Sequence, residues 1–295
     1  MLKIIVLLAG LTLAASLAIG APDDDDSDRE IGVVVRRIAG PAKLRVEVDR
    51  AIASRITHVD LEGLAPLAAL RRIASAANVH LVEIDKNTYW LGPKLEAWEL
   101  AARKGLVTTR LKLELDETPL PDALGTLAKA TGFAFVIDPH VFAERDDSEL
   151  EINLRIHGIR ARDGLELATQ CLGLAWDLRW GVVFVSTGER LEALPGYGMS
   201  PPPTGDRPEW ETKMRTKLAT ERASISFAAT PLPKALKLFC TAKGLELTTE
   251  GTIPTDSVGF TVSNLTLRQI LDLMLVPRGC TYDVTKKGVI VKGTK

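Results

Sequence analysis

Along Leu111-Lys112-Leu113-Glu114-Leu115 apolar and polar residues alternate, the period of a strand with one buried side. At Thr118-Pro119-Leu120-Pro121 the period changes: Leu120, Leu124, Leu127 and Ala128 recur at helical spacing and predict a helix with one core-facing side. Thr118 stands where an N-cap is expected, a proline in the first turn costs no hydrogen bond, and Gly132 suits a left-handed C-terminal residue. Phe133 to Ile137 then reads as a second strand. The same text returns later in the chain. Thr118, Pro119, Leu120, Pro121, Ala123, Leu124 and Gly132 recur as Thr230, Pro231, Leu232, Pro233, Ala235, Leu236 and Gly244, at a constant spacing of 112 residues (118 to 230). A strand pattern at Ile225 and Phe227 precedes this second copy, and Leu245 to Thr248 follow it.

Each copy continues alike. Leu150 to Ile156 predicts a strand, Arg160 to Leu172 a helix, and Ala175 to Leu178 with Val182 to Val185 a hairpin around Trp180-Gly181. The later copy offers Val258 to Val262, a helix from Thr266 to Val276, and strands at Thr281 to Val284 and Val289 to Val291 around Lys287-Gly288. Leu154, Ile156, Ile159, Leu165 and Gly173 match Phe260, Val262, Leu265, Leu271 and Gly279. A weaker third copy lies upstream, with Val59 to Leu64, a helix from Ala65 to Ala77, Val79 to Val82 and Tyr89 to Leu91; Leu70 takes the place of Leu165. Its first half, with strands expected at Gly32 to Ile38 and Leu44 to Val48, has no Thr-Pro-Leu-Pro start. The pattern therefore predicts an α+β fold of two to three small βαβ-βαββ modules. Their expected bounds are 31–92 (diverged or truncated), 109–189 and 214–295, with a linker helix at 93–108 and a Pro/Gly-rich linker at 190–213. The run Pro195 to Gly205, rich in proline and glycine, predicts a stiff spacer that sets the last module apart.

Residues 1–20 hold one lysine and an apolar stretch of small and branched residues, followed by Asp23 to Asp26, and read as a cleaved secretory signal before an acidic mature N-terminus at 21–30. The rival reading is a retained anchor, since Ile4 to Ala21 approaches spanning length. The expected location is the periplasm or another extracytoplasmic space. With 37 basic and 38 acidic residues and a net charge of −1, the chain shows no electrostatic footprint for nucleic acid or an anionic membrane surface.

The segments LKLELDETPLPDALGTLAKATGFAFVIDPHVF and INLRIHGIRARDGLELATQCLGLAWDLRWGVVFVST resemble the short N-terminal (STN) domain shared by secretins, where it is the N0-like domain, and TonB-dependent signal-transducing receptors. The resemblance covers 109–187 and 222–293, and 56–92 in part. It implies a periplasmic contact module of two helices on small sheets. No outer-membrane barrel follows before Lys295, so what the resemblance implies here is the contact role, with unidentified envelope proteins as partners, and not translocation.

The search for chemistry returns little. The sequence has no G-x-S-x-G, H-E-x-x-H, phosphate-binding glycine loop or C-x-x-C, so no catalytic, cofactor-binding or metal-ligating residues are assigned and no enzyme is expected. His58 and His80 are a remote metal candidate across a sheet, and Glu144, Asp146, Asp147, Glu149 and Glu151 form an acidic loop without dedicated calcium-loop spacing. Cys171 and Cys240 are expected to pack inward, and Cys240 with Cys280 is a conceivable disulfide within one module. Trp180, at a hairpin tip, either packs in the core or anchors an interface. Two functions remain: a non-enzymatic module array that meets envelope proteins, or a small-ligand binder or enzyme with a pocket between modules.

Overall fold

In a computed structural model the chain is described over residues 29–199 and 207–293. The stretch 1–20 expected to be a secretory signal, the acidic stretch before Arg29 and the prolines Pro201 to Pro203 lie outside the described residues. The fold is α+β, and one order of five strands and two longer helices occurs three times, with a further short helix between the second and third strands of the first two units. The first unit runs β1 (Arg29–Glu30), α1 (Ile31–Ala39), β2 (Arg45–Val48), α2 (Arg50–Ala53), β3 (Ile56–Thr57), α3 (Pro66–Ala76), β4 (His80–Asp85) and β5 (Thr88–Gly92). A helix, α4 (Ala97–Thr108), leads into the second: β6 (Arg110–Pro119), α5 (Leu120–Thr131), β7 (Phe135–Ile137), α6 (Pro139–Ala143), β8 (Glu151–Arg160), α7 (Ala161–Gln170), β9 (Ala175–Arg179) and β10 (Val182–Ser186). After α8 (Gly188–Ala193), another leading helix, α9 (Glu209–Thr220), opens the third: β11 (Arg222–Pro231), α10 (Leu232–Ala242), β12 (Glu246–Glu250), β13 (Ser257–Thr266), α11 (Leu267–Leu275), β14 (Thr281–Val284) and β15 (Gly288–Lys292).

Pairing repeats as well. In each unit the first and third strands form an antiparallel ladder, β1 with β3, β6 with β8, β11 with β13. The other three strands form a sheet with the last strand at its centre, parallel to the second and antiparallel to the fourth. Left-handed residues fall at matching points: Gly63, Gly158 and Asn264 before the second helix, and Asn78, Gly173 and Gly279 after it. These fix the alignment of the first unit on the other two.

The expected helices and hairpins of the second and third units are present within a residue or two. Leu124 and Leu236, each from a duplicated helix, are buried in the cores. Thr118 does not cap α5, however. It lies in β6, and its hydroxyl accepts the Asp116 amide hydrogen at 3.1 Å, a local side-chain turn that competes with capping. Gly132 does close α5 in the left-handed conformation. In the first unit the segment expected as a strand, 32–38, is helix α1. Its buried residues Ile31, Val34 and Val35 keep helical spacing, so amphipathic burial outweighs the strand preference of a valine run. The strand expected at Val59 to Leu64 is instead β3 at Ile56–Thr57 followed by a turn.

Candidate functional site

Trp180, singled out by the sequence, lies at the joint between the second and third units. Those two units are not set apart by a spacer: Val136, Trp180, Val182, Phe184 and Leu191 of the second belong to the same apolar core as Leu218, Leu236, Leu265 and Leu271 of the third. Trp180 is only 3% exposed, so it is no free hairpin-tip anchor. Its ring meets Phe184 edge-on with centroids 5.1 Å apart, and its indole N–H donates to the Gly196 carbonyl at 2.7 Å. The next residue, Gly181, has φ +83° and sits against the third unit so closely that a Cβ would lie 2.6 Å from Leu265 Cδ2. Here glycine is required twice, by backbone sign and by contact.

Polar groups tie the same joint. Asp138, fully buried, caps α6 and accepts from Ser186 Oγ at 2.7 Å, Arg190 Nε at 3.0 Å and the His140 amide at 3.1 Å. Arg190 then donates to the Pro277 carbonyl of the third unit at 2.8 Å. Burial pushes the Asp138 carboxyl up, but the hydrogen bonds from Arg190, Ser186 and the backbone outweigh it and hold the group below the usual carboxylate range. Ser, His and Asp together raise the question of a nucleophilic triad. The geometry answers it. Ser186 is fully buried and its hydroxyl is turned to Asp138. His140 Nδ1 lies 3.1 Å from Asp138 Oδ1 and 3.0 Å from Arg190 Nη2, so Ser186 and His140 both meet Asp138, and the serine hydroxyl is bonded to the carboxylate instead of to the imidazole that would activate it in a triad.

Asp272 on α11 is the second buried carboxylate, with its side chain 1% exposed. It accepts from the Gly198 amide at 3.0 Å and the Tyr282 hydroxyl at 3.1 Å, while Arg268 Nε stays 3.7 Å away. Desolvation dominates, and its pKa is pushed up to about 6. Burial, and then the Asp272 charge, push the Tyr282 hydroxyl well above its ordinary value. The connector is drawn in by this group: Gly198 also accepts from the Tyr282 amide at 3.0 Å, Met199 bridges in parallel to Tyr282, and the Arg268 guanidinium stacks over Tyr197 at 4.1 Å.

The joint between the first and second units is built on the same surfaces with different chemistry. Glu47 on β2 lies 3.0 Å from Arg103 of α4 and 2.8 Å from Arg162 of α7, and Arg103 stacks on Trp90 at 3.6 Å. The Arg162 Nε–H is not aimed at Glu47, so that contact is one of charge more than a hydrogen bond. At the rim Arg45 pairs with Asp163 at 3.1 Å. By strand register Trp90 and Glu47 occupy the places of Phe184 and Val136. Arg162 and Arg268 likewise correspond.

Cys240 and Cys280 are both buried in the third unit and both are free thiols, so the conceivable disulfide is not formed; burial raises the Cys240 thiol to about 11 and the Cys280 thiol in the same direction. Cys171, expected inside, is exposed at the C-cap of α7. His58 and His80 belong to different sheets: His58 follows β3, which pairs with β1, and His80 begins β4. Among the described residues no three His, Cys, Asp or Glu side chains gather to hold a metal ion. The side chains of Glu144, Asp146, Glu149 and Glu151 are exposed. Sequence reasoning missed the leading helices as part of the repeat. Trp98, Glu99, Arg103, Leu106 and Thr108 recur as Trp210, Glu211, Arg215, Leu218 and Thr220 at the same 112-residue spacing, a legible signal. Among the described residues no helix is long and apolar enough to cross a membrane. No protein-family model, curated protein or solved structure matches the chain.

Proposed function

We propose that the chain is a non-enzymatic, extracytoplasmic protein whose repeated units, akin to the short N-terminal domain of secretins and TonB-dependent receptors, bind other proteins of the cell envelope. One observation carries this reading: the chemically capable groups that come together, Asp138 with Ser186, and Asp272 with Tyr282, are buried and engaged in holding consecutive units and their connector in place. Residues used in this way position surfaces and turn over no substrate. The secretory leader read at 1–20 and the module resemblance support the location, and the unit order repeated three times supports an array of contact domains.

The test is lysine-directed crosslinking in the organism that encodes the chain, with captured proteins identified by mass spectrometry. The expected result is a reproducible set of envelope proteins, enriched over those captured by an unrelated exported protein of equal abundance. Recovery of uncrosslinked chain alone would refute the reading.

A further inference from the structure

Both joints between units use one acceptor surface, and the first unit carries that surface with no preceding sheet over it among the described residues. At the second joint the hairpin tip at Gly181 sits on Leu265 and Gln269 of the third unit. The connector follows, with Tyr197 under the Arg268 guanidinium and Gly198 bonded to Asp272. At the first joint Glu47 and Arg45, on the outer face of β2, meet Arg162 and Asp163 at 2.8 and 3.1 Å. What covers the counterparts is therefore the outer face and hairpin of a small sheet, then the chain that leaves it. Counted from the left-handed residue before each second helix, Gly63, Gly158 or Asn264, the same positions in the first unit are Leu64, Leu67, Ala68 and Arg71. Leu64 is 41% exposed where Leu265 is 7% exposed. Leu67 and Ala68 stand where the other units carry polar pairs, Arg162 with Asp163 and Arg268 with Gln269.

We propose that Leu64, Leu67 and Ala68, with Arg71 at their edge, form a docking surface for the β-hairpin end of a small sheet in another protein, one with an apolar outer face and an Asp or Glu in the stretch that leaves the hairpin. The proposal rests on the protein-binding reading above and names the element of the partner that is recognised. A sheet end fits because the two counterpart surfaces in this chain are each covered by one. An apolar outer face fits because Leu67 and Ala68 side chains offer no hydrogen bond or charge, and polar groups laid on them would lose water without replacement. A carboxylate after the hairpin fits because Arg71 is exposed where Asp272 takes the Gly198 amide of the connector. The chain's own last sheet is a poor match. Its hairpin tip carries exposed Lys286 and Lys287, of which Glu246 at 3.3 Å offsets only the second, so a second copy would bring that tip to Leu64 and Arg71 against like charge. Its outer face sets exposed Glu246 and Thr248 over Leu67 and Ala68.

The experiment places a photoreactive amino acid at Ala68 of the full chain in its native host, with Lys234, exposed on α10, as the control position. The crosslinked residue of the captured protein is mapped by mass spectrometry, and that protein is purified, its secondary structure assigned by NMR, and titrated against the full chain by fluorescence anisotropy. Support is a crosslink that falls on a β-hairpin, with affinity about tenfold weaker for Leu64→Asp, for Ala68→Arg and for Arg71→Glu while thermal melts match the parent. Should Leu64→Asp lower the melting temperature, the other two variants, both at exposed positions, decide. A crosslink that falls on a helix, on a second copy or on residues 1–28 of this chain, equal capture at Lys234, or affinity unchanged in the variants would each overturn it. If lysine crosslinking captures envelope proteins and Ala68 captures none, this inference falls and the proposed function stands. If both capture nothing, both fall.

Discussion

Asp272 supplies the sharpest quantitative prediction. Its side chain is 1% exposed and its hydrogen bonds come from neutral donors, the Gly198 amide and the Tyr282 hydroxyl, with the nearest cation 3.7 Å off. Asp138, equally buried, has Arg190 at 3.0 Å and is held ionised, so the two carboxylates of one joint are shifted in opposite directions. With Asp272 raised from 3.8 to about 6, the folded chain binds its proton more tightly than the unfolded chain. Stability from this group is therefore fully present below about pH 4 and is lost as pH rises through about 6. The shift is about two pKa units, which corresponds to roughly 3 kcal/mol. Asp272→Asn keeps a carbonyl acceptor for Gly198 and removes the titration. Urea unfolding of both full chains at pH 4, 5, 6 and 7.5 is the assay, read as the stability difference between variant and parent, in which all other titrating groups cancel. That difference is expected to move in favour of the variant by about 2.4 kcal/mol between pH 4 and 7.5, since at pH 4 the unfolded carboxyl is already partly ionised. A difference that stays flat with pH would refute the reasoning, whatever its absolute size.

Four further outcomes follow from the packing. Leu124→Ala and Leu236→Ala each cost about 2–5 kcal/mol as core truncations. Because Phe184 and Leu236 share a core, the Leu236 lesion reduces hydrogen-exchange protection in β10 as well as in α10; protection lost in α10 alone would contradict a shared core. Gly181→Val destabilises the joint by more than a surface change, since it adds strain at φ +83° to a clash with Leu265, and loss of Trp180 fluorescence burial in the folded chain reports it. Glu47→Ala leaves Arg103 and Arg162 without their shared carboxylate, and about 3 kcal/mol is expected from chemical denaturation, the lower end for a broken buried pair because Arg103 keeps Glu99 at 3.0 Å. A thiol reagent on the native chain labels Cys171, and it reaches Cys240 and Cys280 only after unfolding; rapid modification of all three would show that the core is open.

Much of this fold was written in local pattern. The duplicated Thr-Pro-Leu-Pro segment placed α5 and α10, because alternation giving way to helical spacing is a short-range signal that neighbouring strands do not override. The first unit was harder. Valines at 33 to 35 favour extended backbone in isolation, and only their burial with Ile31 on one face of α1 makes them helical. The joints were least legible. A proline- and glycine-rich connector reads as a spacer from composition, yet Gly198 is bonded to both Asp272 and Tyr282. Trp180 reads from the sequence as either core or interface for the same reason, because part of the core it joins, Leu265 included, lies in another unit. Asp138 and Asp272 carry no motif at all; their roles arise only when α6, β10, α8 and α11 are brought together.

The shared core also sets an order of assembly. As the chain is made from its N-terminus, Val136, Trp180 and Phe184 are finished long before Leu271 and Leu275 arrive to cover them. Through that interval the second unit presents an unroofed aromatic sheet, open to proteases and to sticking to its neighbours. A protein truncated at the connector would keep that condition permanently, so the third unit acts as a lid for the second as well as a unit in its own right.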